Sequence, residues 1–191
     1  YFGFEPRGCW PSEGSISNEM VELCAEMGIK WLASGETVLR NSLQKSSTEP
    51  DDCIHAAYQY REAATACFFR DDGLSDLIGF KYSDWHADDA VANLVSHLER
   101  IAEDCRGKPD AIVSIILDGE NAWEYYPENG YHFLSTMYEK LSQHNELKLT
   151  TYSEYLQSNS ERQALQEIVA GSWVYGTFST WIGEKDKNRA W

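Results

Sequence analysis

The chain has 191 residues, about one domain's length, and 31 acidic against 16 basic side chains give it a net charge of −15. This acidic balance argues against a nucleic-acid partner, because phosphate binding needs a cationic surface, and against docking on an anionic membrane. The composition, 42% apolar and 25% charged, excludes a disordered chain, and no apolar run approaches the roughly 20 residues of a membrane span.

The two ends of the chain and its cysteines indicate how much of a protein is present and in which compartment it works. The chain opens at Tyr1 rather than Met and stops directly after a tryptophan-rich stretch, so we expect a piece cut from a longer protein. An odd number of cysteines with no C-x-x-C spacing predicts free thiols in a reducing compartment, and hence a cytoplasmic protein. The cysteines are Cys9, Cys24, Cys53, Cys67 and Cys105.

The first half of the chain alternates helical and strand-like patterns. Apolar residues at helical spacing predict an amphipathic helix over 18–27. The apolar run 29–34 predicts a buried strand, and the polar, proline-containing stretch 40–52 predicts a loop. Residues 53–60 predict a short helix, and the loop predicted at 70–73 follows an apolar run.

The second half continues the alternation. An apolar stripe predicts a helix over 88–105, and the unbroken, β-branched run 111–117 predicts a strand covered on both faces. A helix over 131–143 and a short strand over 147–150 follow. Helices that alternate with short apolar strands indicate an α/β fold with a mainly parallel sheet. No glycine-rich phosphate loop follows a strand, so a barrel fits better than a nucleotide-binding fold.

Two predicted strands end at carboxylates. Glu36 follows the first strand directly after Gly35, and Asp118 follows the strand 111–117 directly before Gly119. Glycine at these positions would let the backbone turn and a ligand approach. Two carboxylates that flank one bond are the machinery of glycoside hydrolysis, whereas acids at strand ends also commonly cap the next helix.

Aromatic residues make up 13% of the chain, including seven Trp. Flat apolar rings with a polar edge suit stacking on sugars, although core packing accounts for any single one. Four segments carry these residues and both carboxylates: GCWPSEG, GIKWLASGETVL, DGENAWEYYPENG and GSWVYGTFSTWIGEKDKNRAW. In this order they resemble glycoside hydrolase family 57, and most closely its amylopullulanase and α-amylase branch. The connecting stretch FFRDDGLSDLIGFKYSDW resembles that branch too.

The resemblance implies an incomplete (β/α)7-type barrel, here without its first strand, that acts on α-glucans with retention of configuration. Residues 1–191 would form the partial catalytic barrel domain, with 171–191 at the junction to a following helical region. By motif position Glu36 matches the family's nucleophile and Asp118 its general acid/base. Implied substrate-binding residues are Trp10, Glu13, Glu120, Trp123 and Trp173.

Two departures from the family pattern stand out. The family's first motif, with an active-site His, would lie upstream of Tyr1, and Gly35 stands where relatives often carry an acidic residue. The same site would serve a 4-α-glucanotransferase if a sugar hydroxyl replaced water. A non-catalytic α-glucan-binding relative is a further alternative. The expected partner is an α-glucan oligo- or polysaccharide, with no cofactor.

A metal-dependent hydrolase is the competing hypothesis. The motif Asp84-x-His86-x-Asp88 has further acids nearby and could supply hard oxygen ligands and an imidazole. An acidic loop at a helix N-terminus explains the same residues, because Asp is favoured there. No other histidine shows a second ligand spacing, so we expect no metal site.

Overall fold

The computed structural model describes residues 3–46, 53–108, 110–159, 161–183 and 186. The chain divides into two compact units. The first, called the sheet unit below, consists of Tyr1–Arg70, Ile112–Ser114 and Tyr152–Trp191. The second, called the helical unit, consists of Asp71–Ala111 and Ile115–Thr151.

The strands and helices alternate over most of the described chain. The strands are β1 (Gly8–Cys9), β2 (Trp31–Gly35), β3 (Tyr58–Tyr60), β4 (Ala66–Arg70) and β5 (Gln163–Leu165). The α-helices are α1 (Asn18–Glu26), α2 (Glu36–Lys45), α3 (Asp72–Phe80), α4 (Ala87–Asp104), α5 (Tyr131–Ser142), α6 (Tyr152–Ser158) and α7 (Ser179–Ile182). Short 3-10 helices lie at Ser12–Gly14, Cys53–His55, Tyr82–Asp84 and Pro127–Gly130.

The sheet unit contains one five-stranded sheet in the order β1-β2-β4-β3-β5. The pairs β1–β2, β2–β4 and β3–β5 are parallel, and β3–β4 is antiparallel. The predicted α/β fold with a mainly parallel sheet is therefore confirmed. Strands β1, β2 and β4 run in one direction, so their carboxyl ends meet at one edge of the sheet and their amino ends at the other.

The two faces of this sheet pack against different helices. On one face, Leu32, Tyr58 and Phe69 join residues of α1 and α2 in a single apolar core. On the other face, Phe68 stacks on Tyr152 of α6 with ring centroids 4.2 Å apart. This double coverage explains why β4 is a continuous buried run instead of an alternating one.

The helical unit is organised by the apolar stripe of α4 and by aromatic side chains. Two of these aromatic side chains, Tyr82 and Tyr126, are buried and donate hydrogen bonds through their hydroxyls. The hydroxyl of Tyr82 donates to Oδ1 of Asn93 on α4, and that of Tyr126 donates to the carbonyl of Ile78 on α3. Each tie fixes a tyrosine whose ring also packs near Phe133.

The helices predicted over 18–27, 88–105 and 131–143 and the strand predicted over 29–34 are confirmed by α1, α4, α5 and β2. In these segments the spacing of apolar residues, or the length of the apolar run, fits either a helix or a strand but not both.

Three predictions in the first half of the chain are wrong. The loop predicted over 40–52 is wrong at its start, where α2 continues to Lys45 because Leu39 and Leu43 bury one face of an otherwise polar helix; residues 47–52 of this prediction lie outside the described residues. The predicted helix over 53–60 is a 3-10 turn followed by β3, in which Tyr58 and Tyr60 are buried and Gln59 is half-buried. The loop predicted at 70–73 is the junction at which Asp71 caps α3.

Two predicted strands in the second half are also wrong, because their backbone groups bond elsewhere. In the run 111–117, the backbone N–H of Ile112 donates to the carbonyl of His55, and that of Ile116 donates to Oγ of Ser75. At the start of the predicted strand 147–150, the N–H of Leu147 donates to Nδ1 of His144. Neither segment forms a strand in the structure.

Within the described residues, no helix combines the length and the apolar composition needed to cross a membrane. Cys9, Cys24 and Cys67 are free thiols. Cys67 is fully buried, and burial raises the pKa of its thiol to about 12. A thiol of this kind is chemically inert and packs as a small apolar group.

Candidate active site

Glu36 lies where the central strand of the parallel group ends. Strand β2 ends at Gly35, and Glu36 is the first residue of α2. Its side chain is only 17% exposed, and its Oε1 accepts a 2.7 Å hydrogen bond from Nε of Arg40, one helical turn along α2. The positive end of the α2 dipole also faces this carboxylate. The local fold thus holds an acid at the carboxyl edge of the sheet beside a positive charge.

Gly35 makes room for a neighbouring segment of the protein. A Cβ atom at Gly35 would lie 2.6 Å from Cα of Trp173, a backbone atom. The close approach of Trp173 therefore requires a glycine before the acid. From the sequence we interpret Gly35 as making room for a ligand. In the structure, the backbone of Trp173 occupies that space.

Arg70 and Trp173 lie together at the same edge. Gly35 and Arg70 are register partners at the ends of β2 and β4, and Arg70 is buried. Its guanidinium lies 5.0 Å from the centroid of the Trp173 ring. This contact is a cation–π interaction, which is stronger when the cation is desolvated.

Glu13 is tied to Trp173 twice. The indole Nε1–H of Trp173 donates to Oε2 of Glu13 at 2.8 Å, and the Trp173 backbone N–H donates to the Glu13 carbonyl at 3.0 Å. Glu13 has a φ of +56°, a conformation that non-glycine residues adopt rarely and that often marks a functional site. The structure thus brings Glu13, Trp173 and Arg70 together in one contact chain.

Trp10 and the 3-10 turn that follows it are held against β2. Oγ of the buried Ser34 donates to the carbonyl of Gly14 at 2.6 Å. A Cβ at Gly14 would lie 2.7 Å from the Trp10 ring, so this ring packs on the glycine. Trp10 is half-buried, which leaves part of the ring accessible.

The tryptophan-rich end of the chain is described only in part. Nε1 of Trp181 donates to Oγ of Ser172, while the Trp181 side chain is about half exposed. Residues 184, 185 and 187–191 of this motif lie outside the described residues.

Asp118 and Glu120 belong to the helical unit, and both are exposed. They lie in a segment without regular secondary structure, where the Asp118 carbonyl accepts a hydrogen bond from the N–H of Ala122. Gly119, between them, has no neighbouring atom within 4 Å of the position that a Cβ would take. This glycine is therefore open on the side that a side chain would occupy.

Trp123 is packed more tightly than the acids that precede it. Its ring lies 5.3 Å from that of Tyr126 and 6.1 Å from that of Phe133. It also covers Gly130, where a Cβ would lie 3.0 Å from the indole. The half-buried Trp123 therefore has a structural role in the helical unit, besides its implied role in substrate binding.

The residues of the competing metal hypothesis do not assemble a ligand set. Nδ1 of His86 lies 3.8 Å from Oδ2 of Asp88, and both side chains are largely exposed. Asp71 accepts from the N–H of Leu74 as the cap of α3. Among the described residues, no three His, Cys, Asp or Glu side chains are grouped as a metal site would need.

Sequence reasoning did not identify two contacts of the candidate site. Arg40, the partner of Glu36, fell in a stretch assigned to a loop, although its i,i+4 spacing from Glu36 is a helix signal. The contact of Arg70 with Trp173 joins residues far apart in the chain, and local sequence does not identify them as neighbours.

The sequence model described as glycosyl hydrolase family 57 matches residues 1–169. The chain belongs to glycosyl hydrolase family 57. The match includes both carboxylates and ends before the tryptophan-rich motif at 171–191. A search of curated proteins found no match.

Solved structures with similar folds agree with membership of family 57. A family 57 branching enzyme from Pyrococcus horikoshii has a TM-score of 0.76 and 17% identity, over 98% of this chain and 44% of that one. A 4-α-glucanotransferase from Thermococcus litoralis has a TM-score of 0.69 and 20% identity, over 90% and 25%. The α-amylase AmyC from Thermotoga maritima has a TM-score of 0.67 and 16% identity, over 94% and 45%. The chain thus spans a quarter to just under half of these proteins.

Proposed function

We propose that this chain is part of a retaining enzyme that cleaves α-glucans, with Glu36 as nucleophile and Asp118 as general acid/base. The observation that carries the proposal is the position of Glu36, which lies at the carboxyl edge of the sheet beside Arg40. Active sites of β/α barrels lie at that edge. Membership of family 57 adds support, because family members are glycosyl hydrolases by name.

The chemistry proceeds in two displacements. The ionised Glu36 attacks the anomeric carbon while Asp118 donates its proton to the leaving glycosidic oxygen, which forms a glycosyl ester. Asp118, now a carboxylate, then removes a proton from water, and this water attacks the ester and regenerates Glu36. A retaining enzyme needs its two carboxyl groups about 5–5.5 Å apart during this cycle.

Aromatic side chains at both carboxylates suit the proposed substrate. Trp10 and Trp173 on the sheet unit, and Trp123 on the helical unit, are half-buried indoles whose flat faces can stack on sugar rings. Glu13 orients Trp173 through two hydrogen bonds, and Glu120 adds an exposed acceptor beside Asp118. We place this activity in the cytoplasm, as the odd number of cysteines suggests.

Substitution of each carboxylate in the intact protein tests the proposal. Glu36→Gln and Asp118→Asn should each lower turnover of maltoheptaose by about a hundredfold or more, since one positioned acid or base contributes that much. Glu26→Gln and Glu139→Gln, at exposed positions on α1 and α5, are matched controls that should keep full activity. Near-normal turnover in either carboxylate variant would contradict the proposal.

Azide rescue separates the two roles. With an aryl α-maltooligoside, azide should restore Glu36→Ala and give an inverted glycosyl azide, because azide enters on the face that the nucleophile vacates. The same rescue of Asp118→Ala should give a retained product, because azide then attacks the glycosyl ester. The opposite pair of configurations would exchange the two assignments.

The maltoheptaose products distinguish the alternative activities. Shorter oligomers alone indicate a hydrolase, whereas oligomers both longer and shorter than the substrate indicate a 4-α-glucanotransferase. Binding without any cleavage or transfer by the unsubstituted protein would favour a non-catalytic relative.

A further inference from the structure

A cavity lies at the amino edge of the sheet, opposite the edge that holds Glu36. Its volume is about 430 Å³, and it borders the amino ends of β2 and β4 and one side of α6. Lys30 directly precedes β2, Thr65 directly precedes β4, and Ser153 lies in the first turn of α6. All its lining residues belong to the sheet unit. It is therefore distinct from the carboxyl edge that holds Glu36.

The charge of this cavity is opposite to that of the whole chain. Arg7, Lys30 and Arg162 line it, whereas its described lining contains no Asp or Glu. In a chain with a net charge of −15, a pocket with three basic side chains and no acid is a local reversal of potential. Among the described residues, none of the three forms an ion pair with a carboxylate. Their charges are left to attract an anion.

Uncharged polar groups surround the cations. Gln59 and Gln157 line the cavity, and two hydroxyls are fixed in its wall. Oγ1 of Thr65 donates to the carbonyl of Ile29, and Oγ of Ser153 accepts from the indole Nε1 of Trp31. Groups of this kind exchange hydrogen bonds with sugar hydroxyls.

The walls of the cavity are held by packed elements. The Trp31 ring lies so close to β1 that a Cβ at Gly8 would meet it at 1.8 Å, and its centroid lies 4.8 Å from that of Tyr152. Arg162 is partly buried, with its guanidinium 5.9 Å from the Tyr155 ring. A preformed site of this sort loses less entropy on binding than a flexible one.

From these observations we infer that the cavity binds a small phosphorylated sugar. Arg and Lys are the side chains that hold phosphate, and the volume lies within the range of small-molecule sites. A cavity of 430 Å³ is larger than a phosphate ion needs, and the amides and hydroxyls beside the cations match a polyhydroxylated ring. Occupancy would report the supply of phosphorylated sugar at a place separate from the carboxylates.

Calorimetric titration of the intact protein with a hexose monophosphate tests this inference. The unsubstituted protein should bind it, with an affinity that falls as salt is added. Arg7→Gln and Lys30→Gln should each weaken binding about tenfold or more, as loss of one charge-assisted hydrogen bond does. Both side chains are exposed, so neither substitution disturbs the core. Lys148→Gln removes an exposed charge in the helical unit and should leave binding unchanged.

Titration with inorganic phosphate and with a neutral hexose shows which part of the hexose monophosphate the cavity recognises. Inorganic phosphate should bind more weakly than the hexose monophosphate, and neutral hexose should not compete with it at this site. Equal affinity for inorganic phosphate would overturn the assignment of a sugar phosphate. Absence of binding at millimolar concentration, or equal weakening by Lys148→Gln, would overturn the site. Glu36→Gln should retain full binding, so the result is independent of the proposed catalytic function.

Discussion

The two carboxylates proposed for catalysis are held in different ways. Glu36 lies at the end of a buried strand, with Arg40 on its carboxylate and the backbone of Trp173 against the preceding glycine. Asp118 is exposed in a segment without regular secondary structure, next to a glycine at which an added Cβ would have no neighbour within 4 Å. The sheet unit therefore fixes its acid through polar contacts and close packing. In the helical unit, aromatic packing begins five residues after Asp118, at Trp123.

This difference teaches that similar sequence patterns need not have similar physical roles. Both acids adjoin a glycine at the end of an apolar run, and the sequence alone treats them alike. In the structure, one glycine is required by a neighbouring backbone and the other is open. The proposed reaction assigns the better fixed acid to the nucleophile, which must be aligned with the anomeric carbon.

Substitution of the two glycines gives the largest expected contrast. Gly35→Ala should lower the free energy of unfolding by about 3 kcal/mol, because its Cβ would lie 2.6 Å from the Trp173 backbone. Gly119→Ala should change it by less than about 0.5 kcal/mol, since no atom is near. Neither glycine has a positive φ, so backbone strain does not enter. Urea denaturation measures both, and equal losses would remove the contrast between the units.

Glu13 and Glu120, the two acidic residues proposed to bind substrate, give the next contrast. Glu13→Ala should cost about 2 kcal/mol, because it removes the acceptor of a 2.8 Å bond from the partly buried Trp173 indole. Glu120→Ala should cost less than about 0.5 kcal/mol at its exposed position. Glu13→Gln keeps an acceptor oxygen and should recover most of the loss. If Glu13→Ala and Glu120→Ala lose the same free energy of unfolding, Glu13 does not anchor Trp173.

The smallest effect concerns alkaline pH, where the units should behave alike. Burial raises the pKa of Tyr152 in the sheet unit to about 12. Burial also raises the pKa of Tyr82 in the helical unit to about 12. Since an unfolded tyrosine titrates near pH 10, the folded state binds more protons between about pH 10 and 12. Stability is therefore unaffected below about pH 10 and falls as pH rises towards 12.

Urea midpoints between about pH 9 and 11 measure this fall. Tyr152→Phe and Tyr82→Phe should each flatten the profile, because neither phenylalanine titrates. An unchanged slope in both variants would contradict burial of these two hydroxyls as the cause of the fall. A slope lost in only one variant would confine the buried titration to that unit.

Sequence reasoning worked where one strong period or one apolar run determined the element. The stripe of α4 and the run of β2 are such cases, and the motif order around Glu36 and Asp118 identified the family. It failed at 111–117, where the composition is typical of a strand but the backbone bonds to His55 and Ser75. Hydrogen-bond partners far apart in the chain are not encoded in local composition.

Some features of the candidate site could be predicted from local sequence, and others depend on the fold. Glu36 and Asp118 stay predictions from motif position, with Arg40 as a local signal that a helix assignment would have provided. The Glu13–Trp173–Arg70 chain joins residues up to 160 positions apart, so only the fold brings them together. The cationic cavity was equally hidden, because its three basic residues share no motif.

The antiparallel pairing of β3 with β4 has an evolutionary consequence. Because β3 runs against β4, the short connection between them turns back at the amino edge, where Ala63 and Ala64 line the cavity. Insertions or substitutions in this connection would reshape the cavity and leave the ends of β2 and β4 at Gly35 and Arg70 untouched. A lineage could therefore alter the proposed sugar-phosphate cavity while the proposed catalytic edge stays constant, because one reversed strand separates the two kinds of change.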